Sequence, residues 1–101
     1  MLSHQVFFTL KDPSDANCQQ LIEACQKYLP NHDGVSFFAV GTHTPDLARP
    51  VNDSDFHVTV NIVFDSREAH DAYQVSENHL AFIAENKDGW SQIRIFDADV
   101  S

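Results

Sequence analysis

The chain has few basic residues and few glycines, and it lacks any long apolar run. Lys and Arg total 6 against 15 Asp and Glu, a formal charge of −9. Nucleic acid is bound largely by neutralising phosphates with Lys and Arg, so this balance argues against a nucleic-acid partner. It argues equally against an anionic membrane surface. With 3 glycines there is no Gly-rich motif to cradle a phosphate, and a nucleotide cofactor is not expected. No apolar stretch approaches the ~18 residues of a membrane span. Met1-Leu2-Ser3-His4-Gln5 shows no basic segment leading into an apolar one, so no signal peptide is expected and the cytoplasm is the expected compartment. The 2 cysteines, Cys18 and Cys25, fall on one predicted helix. At ~1.5 Å rise per residue they stand about 10 Å apart, too far to bond, and are read as free, buried thiols of a reducing compartment.

What is present is the material of one folded domain. Hydrophobic residues make up 43% of 101, with 8 Phe, and there are no repeats, low-complexity tracts or linkers. His4–Lys11 reads as a strand with His4, Val6, Phe8 and Leu10 on one face. Asp12 or Ser14 caps a helix that runs to about Leu29, with Cys18, Leu21, Ile22, Cys25, Tyr28 and Leu29 as its inner stripe. Pro30 and the turn Asn31-His32-Asp33-Gly34 end it. Val35–Thr42 reads as a second strand, and Thr44–Asp55 as an exposed loop. Phe56–Asp65 is a third strand with Phe56, Val58, Val60, Ile62 and Phe64 at period two. Ser66 caps a short helix with Ala69, Ala72 and Tyr73 inward. Ser76 caps another with His79, Leu80, Phe82 and Ile83 inward or marginal. Asp88-Gly89 stops that helix, and Trp90–Asp97 is the last strand.

The order is β-α-β-β-α-β with the last helix broken in two. It predicts an α+β, ferredoxin-like fold: an antiparallel four-stranded sheet with helices on one face. The other face carries Phe7, Val63 and Phe38 among Thr9, Thr59 and Asn61. That is too apolar for open water and too polar for the core of one chain. A homodimer through facing sheets follows as the expectation.

His4-Gln5-Val6-Phe7-Phe8-Thr9-Leu10-Lys11, Gly34-Val35-Ser36, Phe64-Asp65-Ser66 and the segment from Ala72-Tyr73-Gln74-Val75 to His79-Leu80-Ala81-Phe82 resemble the stress-response α/β-barrel (Dabb) family over residues 3–98. Ser76-Glu77 stands where that family usually has His-Pro. The resemblance implies a dimeric α/β barrel. It is similar to the family's plant polyketide cyclase, which closes a linear chain by an intramolecular aldol step without a cofactor. That similarity implies catalytic roles for Tyr73 and His79 and a pocket role for His4. The family's third-strand histidine is replaced here by Val58, and the adjacent His57 is expected on the opposite face.

Tyr and His exchange or direct protons near neutral pH without a metal. The pocket is therefore expected to hold Tyr73 and His79 as the catalytic candidates, with His4, Val6, Phe8, Val58 and Phe82 as its substrate-binding lining. His57 and Asn61 are expected to hydrogen-bond across the dimer, and His32, His43 and His70 to lie on the surface. Trp90 reads as packing. No HxH or HxxxH pair lies on one element, so neither a metal nor another cofactor is expected. Three functions fit: binding of a small apolar or aromatic molecule without chemistry; cofactor-free chemistry on a carbonyl compound, with His79 as base and Tyr73 as donor; and a monooxygenase of the antibiotic-biosynthesis type.

Overall fold

A computed structural model describes residues 1–101. Alternating apolar positions make strand β1 (Leu2–Leu10), and Ser14 caps helix α1 (Asp15–Tyr28) by accepting the Asn17 N–H at 3.2 Å. Strands β2 (Val35–Thr42) and β3 (Val58–Phe64) follow. Helices α2 (Arg67–Gln74) and α3 (Glu77–Asn86) come next, and a short 3-10 turn leads to β4 (Trp90–Asp99). The sheet is antiparallel in the order β2-β3-β1-β4, the ferredoxin-like arrangement expected. The helices lie on one face. Phe8, Val58, Val60, Ile62, Phe64 and Cys25 are fully enclosed between the layers.

Gly34 makes the turn into β2 with φ of 85°, where a side chain is strained. A Cβ there would also stand 2.4 Å from Cβ of Ala69. The glycine thus lets α2 close onto the sheet.

Several expectations need correction. A bulge lies between Val35 and Phe37, so Phe37 opposes Val63 and Phe38 opposes Ile62. The bulge reverses the face of everything after it. Phe37, half exposed, is therefore on the uncovered face, while Phe38 packs on the core. Strand β3 begins at Val58, and Phe56 leaves its alternation to stack on Phe7 with centroids 5.0 Å apart. Ala72 and Leu80 are exposed, on the outer faces of α2 and α3. Both cysteines are free, but only Cys25 is buried, its thiol pushed up to about 12 by burial; Cys18 is half-buried. The loop before β3 is tied down at its end. Arg94 binds Asp53 at 2.7 Å, and the Thr9 hydroxyl donates to the Asp55 carbonyl at 3.0 Å.

No helix is long and apolar enough to cross a membrane.

Candidate functional site

The site is built around the short break between α2 and α3. Val75 closes one helix and the next residue, Ser76, starts the other. Its Oγ accepts the His79 N–H at 3.1 Å and donates to Nε2 of His32 at 2.9 Å. His32 can accept there because its Nδ1–H is given to the Leu29 carbonyl at 3.0 Å. This chain of bonds ties the end of α1 to the break. It leaves Tyr73 in the last turn of α2 and His79 in the first turn of α3, with ring centroids 4.6 Å apart.

Nδ1 of His79 lies 3.0 Å from the Gln74 carbonyl. A carbonyl only accepts, so Nδ1 carries the proton and Nε2 keeps its lone pair. Burial lowers the His79 pKa from its ordinary value, outweighing that hydrogen bond, so the ring is neutral at pH 7. Burial pushes the Tyr73 phenol up, with the nearby Cys25 adding to it, and no hydrogen bond offsets the rise. Tyr73 thus stays protonated as a donor with no partner in the chain, beside an imidazole able to accept.

Beneath them, the strand register sets His4 opposite Asp97. Nδ1 of His4 lies 2.5 Å from Oδ1 of Asp97, a charge-assisted bond between a buried ring and a half-exposed carboxylate. The ring of His4 stands 6.1 Å from Tyr73 and 5.1 Å from His70.

Tyr73, His79 and His4 meet at a cavity of about 100 Å³. His4, Val6, Phe8, Tyr73, His79 and Phe82 all line it. Val58 does not: it is fully buried at the start of β3, paired with Phe8 and Thr42, and Val60, two residues on, takes its place. Sequence reading missed Leu29, Gln74, Ile83, Trp90, Ile93 and Ile95 as lining. The period-two run Ile93, Ile95, Asp97 was the available signal, since it pairs with Phe8, Val6 and His4. The larger clefts are open and polar; one is lined by Lys11, Asp12, Glu85 and Asp88.

The remaining histidines are more engaged than expected. His57 does not reach across the uncovered face. It sits beside α1, and its Nδ1 accepts the Leu10 N–H at 3.0 Å, closing the end of β1. Asn61 does lie on that face, and its Oδ1 is buried with no partner. His70 is not a surface group: its side chain is 14% exposed and stacks on Phe64 at 5.5 Å. His32 and His43 are half-buried as well, against Tyr73 and Phe56.

The stress responsive A/B barrel domain family matches residues 2–100. No curated protein matches. Among solved structures, a ferredoxin-like Dabb family protein from Mesorhizobium loti superposes with a TM-score of 0.81 at 22% identity, covering 99% of this chain and 96% of that one. An Arabidopsis thaliana protein reaches 0.82 at 16%, covering 100% and 96%. The hydroxynitrile lyase of Passiflora edulis reaches 0.77 at 20%, covering 99% and 93%. At these identities the likeness carries the fold.

Proposed function

The chain belongs to the stress responsive A/B barrel domain family, and from that premise we propose a cytoplasmic homodimer in which each subunit binds one small apolar or aromatic carbonyl compound. The carrying observation is the cavity itself. It is mostly apolar, yet holds a phenol with no partner beside a neutral imidazole. An apolar wall with a few convergent polar groups is the usual composition of a small-molecule site. Ligand sites usually measure ~300–1,000 Å³. A cavity of about 100 Å³ therefore favours a compact ligand over an extended polyketide chain. The free cysteines accord with a reducing compartment.

The dimer reading rests on the uncovered face. Phe7, Phe37, Val63 and Phe96 lie there, with Phe37 at 50% and Phe96 at 56% exposure. The orphaned Asn61 Oδ1 lies among them. A facing sheet would bury the rings and could supply a donor to Asn61. The Mesorhizobium relative has the same fold, and a Thermobifida fusca neighbour is described as a dimeric ferredoxin-like protein.

A second reading is favoured by the two protonation states. The Tyr73 hydroxyl can donate to a carbonyl oxygen as negative charge grows on it, and Nε2 of His79 can take a proton from the adjacent carbon. That is cofactor-free proton transfer of the cyclase type. Nothing favours the monooxygenase reading.

Fragment screening by NMR tests both. Phenolic and ketone fragments should perturb His79, Phe82 and Ile95, and Tyr73→Phe should weaken the carbonyl-bearing hits selectively. Hits that cluster in the polar clefts instead would remove the binding reading. If His79→Ala leaves proton exchange at a bound ketone's α-carbon unchanged, the catalytic reading fails.

A further inference from the structure

Beside the acid–base pair, and sharing His4 with the cavity wall, three side chains from three elements converge: His4 of β1, His70 of α2 and Asp97 of β4. One ligating atom from each lies within 4.8 Å of the others. We propose that they form a binding site for one divalent transition-metal ion of the zinc class. This goes beyond the cavity reading and does not depend on it. The expectation of no metal rested on pairs within one element, whereas here the strand register and the seat of α2 assemble the set.

The donor chemistry selects the ion. Two imidazoles and one carboxylate suit zinc and its first-row neighbours, whereas magnesium and calcium take oxygen ligands. Three protein ligands leave a coordination position for water. The geometry is close to what an ion needs. With bonds of about 2.0–2.1 Å, donor atoms on a tetrahedral ion stand roughly 3.3 Å apart. The present spacings bracket that value, from 2.5 Å between His4 and Asp97 to the 4.8 Å limit of the set. The His4 and His70 centroids are 5.1 Å apart, and two imidazoles on one such ion should stand at about 5 Å. The ion needs the His4–Asp97 contact to open from 2.5 Å. Asp97 is free to move, being 47% exposed with His4 as its one side-chain partner.

His70 is also oriented as a ligand would be. Its Nδ1 donates to Oδ1 of Asp71 at 2.9 Å, and Arg67 holds that same oxygen at 2.9 Å. A carboxylate on the far nitrogen fixes the tautomer and leaves Nε2 with its lone pair, the arrangement metal-binding histidines use. At Nε2 the nearest donor is Gln74 Nε2, a long 3.5 Å away. A metal on Nδ1 of His4 would displace the proton shared with Asp97 and leave Nε2 as that ring's only N–H.

The test is titration of chelator-treated protein with Co²⁺, read by visible absorption, and with Zn²⁺, read by calorimetry. One equivalent per chain with nitrogen–oxygen d–d bands is expected. His70→Ala and Asp97→Asn should each weaken it by at least about tenfold, and Asp71→Asn should weaken it with Zn²⁺ still able to bind. His43→Ala is the control and should change nothing. Should a variant fail to fold, the wild type still decides: paramagnetic broadening by Co²⁺ must reach the His4 and His70 rings first. Binding that survives His70→Ala and Asp97→Asn, broadening that starts at His43 or His57, or no uptake at all would each overturn the site.

Discussion

At the scale of single residues, the site is a set of settled tautomers. His32 and His79 give their Nδ1 protons to backbone carbonyls, and His4 gives its own to Asp97. Each ring is thereby held rigid; His4 and His79 keep one nitrogen free, whereas Nε2 of His32 accepts from Ser76. Tyr73 is the exception, a buried phenol without a partner. Removing its hydroxyl strands nothing, so Tyr73→Phe should leave stability unchanged or raise it by up to roughly 1 kcal/mol. Urea unfolding of the two proteins checks this, and a clear loss would mean the hydroxyl is structurally bonded. His79 makes a pH prediction. Its folded pKa lies below the unfolded value because burial disfavours the charged ring. Above the unfolded value neither state binds the proton and no stability is lost. As pH falls below about 6.5 the unfolded chain takes up the proton first, so stability declines until the lowered folded pKa is passed. The urea midpoint should therefore fall from pH 7 to pH 5, and the fall should be smaller in His79→Gln. The tautomers themselves were not legible in the chain, because each is set by a carbonyl or carboxylate that folding brings near.

At the scale of elements, the three serine caps matter most; Ser66 and Ser76 were plain in the sequence, whereas only the fold decided for Ser14 over Asp12. Ser14, Ser66 and Ser76 each accept the N–H three residues on. Ser76 has the added duty of binding His32. Ser76→Ala should cost about 1–2 kcal/mol, at the upper end for a cap, since His32 loses a partner too. Ser14→Ala, with only its cap to lose, should cost less; equal costs would mean the His32 bond contributes nothing. Gly34 is the other control point. Gly34→Ala combines a positive φ with a Cβ driven into Ala69, and should destabilise by about 2 kcal/mol or more. What no periodicity announced was the bulge in β2. Val35 to Phe38 alternates well enough to suggest an unbroken strand, and the extra residue shows only in its pairing with β3.

At the scale of the whole molecule, the chain is thin. Its extents are 35 × 31 × 17 Å, the thickness of one sheet and one helical layer. Only 16 of 101 residues are buried, which leaves one face of the sheet without a cover. The accessible area, 6230 Å², exceeds the about 5,800 Å² expected for a monomer of this mass. Light scattering should return twice 11.4 kDa at micromolar concentration. Phe96→Glu, which sets a charge on the proposed interface, should return the single-chain mass with far-UV circular dichroism intact. A wild-type monomer would refute the facing-sheet arrangement.

The sequence alone determined which segments are helix and strand, where the helices start and which face of β1 and β3 is buried. These depend on period, caps and local propensity, all of which act between near neighbours in the chain. The tertiary structure decided the rest. It set Asp97 against His4, drew His70 inward, exchanged Val58 for Val60 in the cavity wall and turned Phe37 outward. Those outcomes depend on strand register and on the seat of α2. Register is fixed by contacts between residues far apart in the chain, and a shift of one position reverses every side chain that follows.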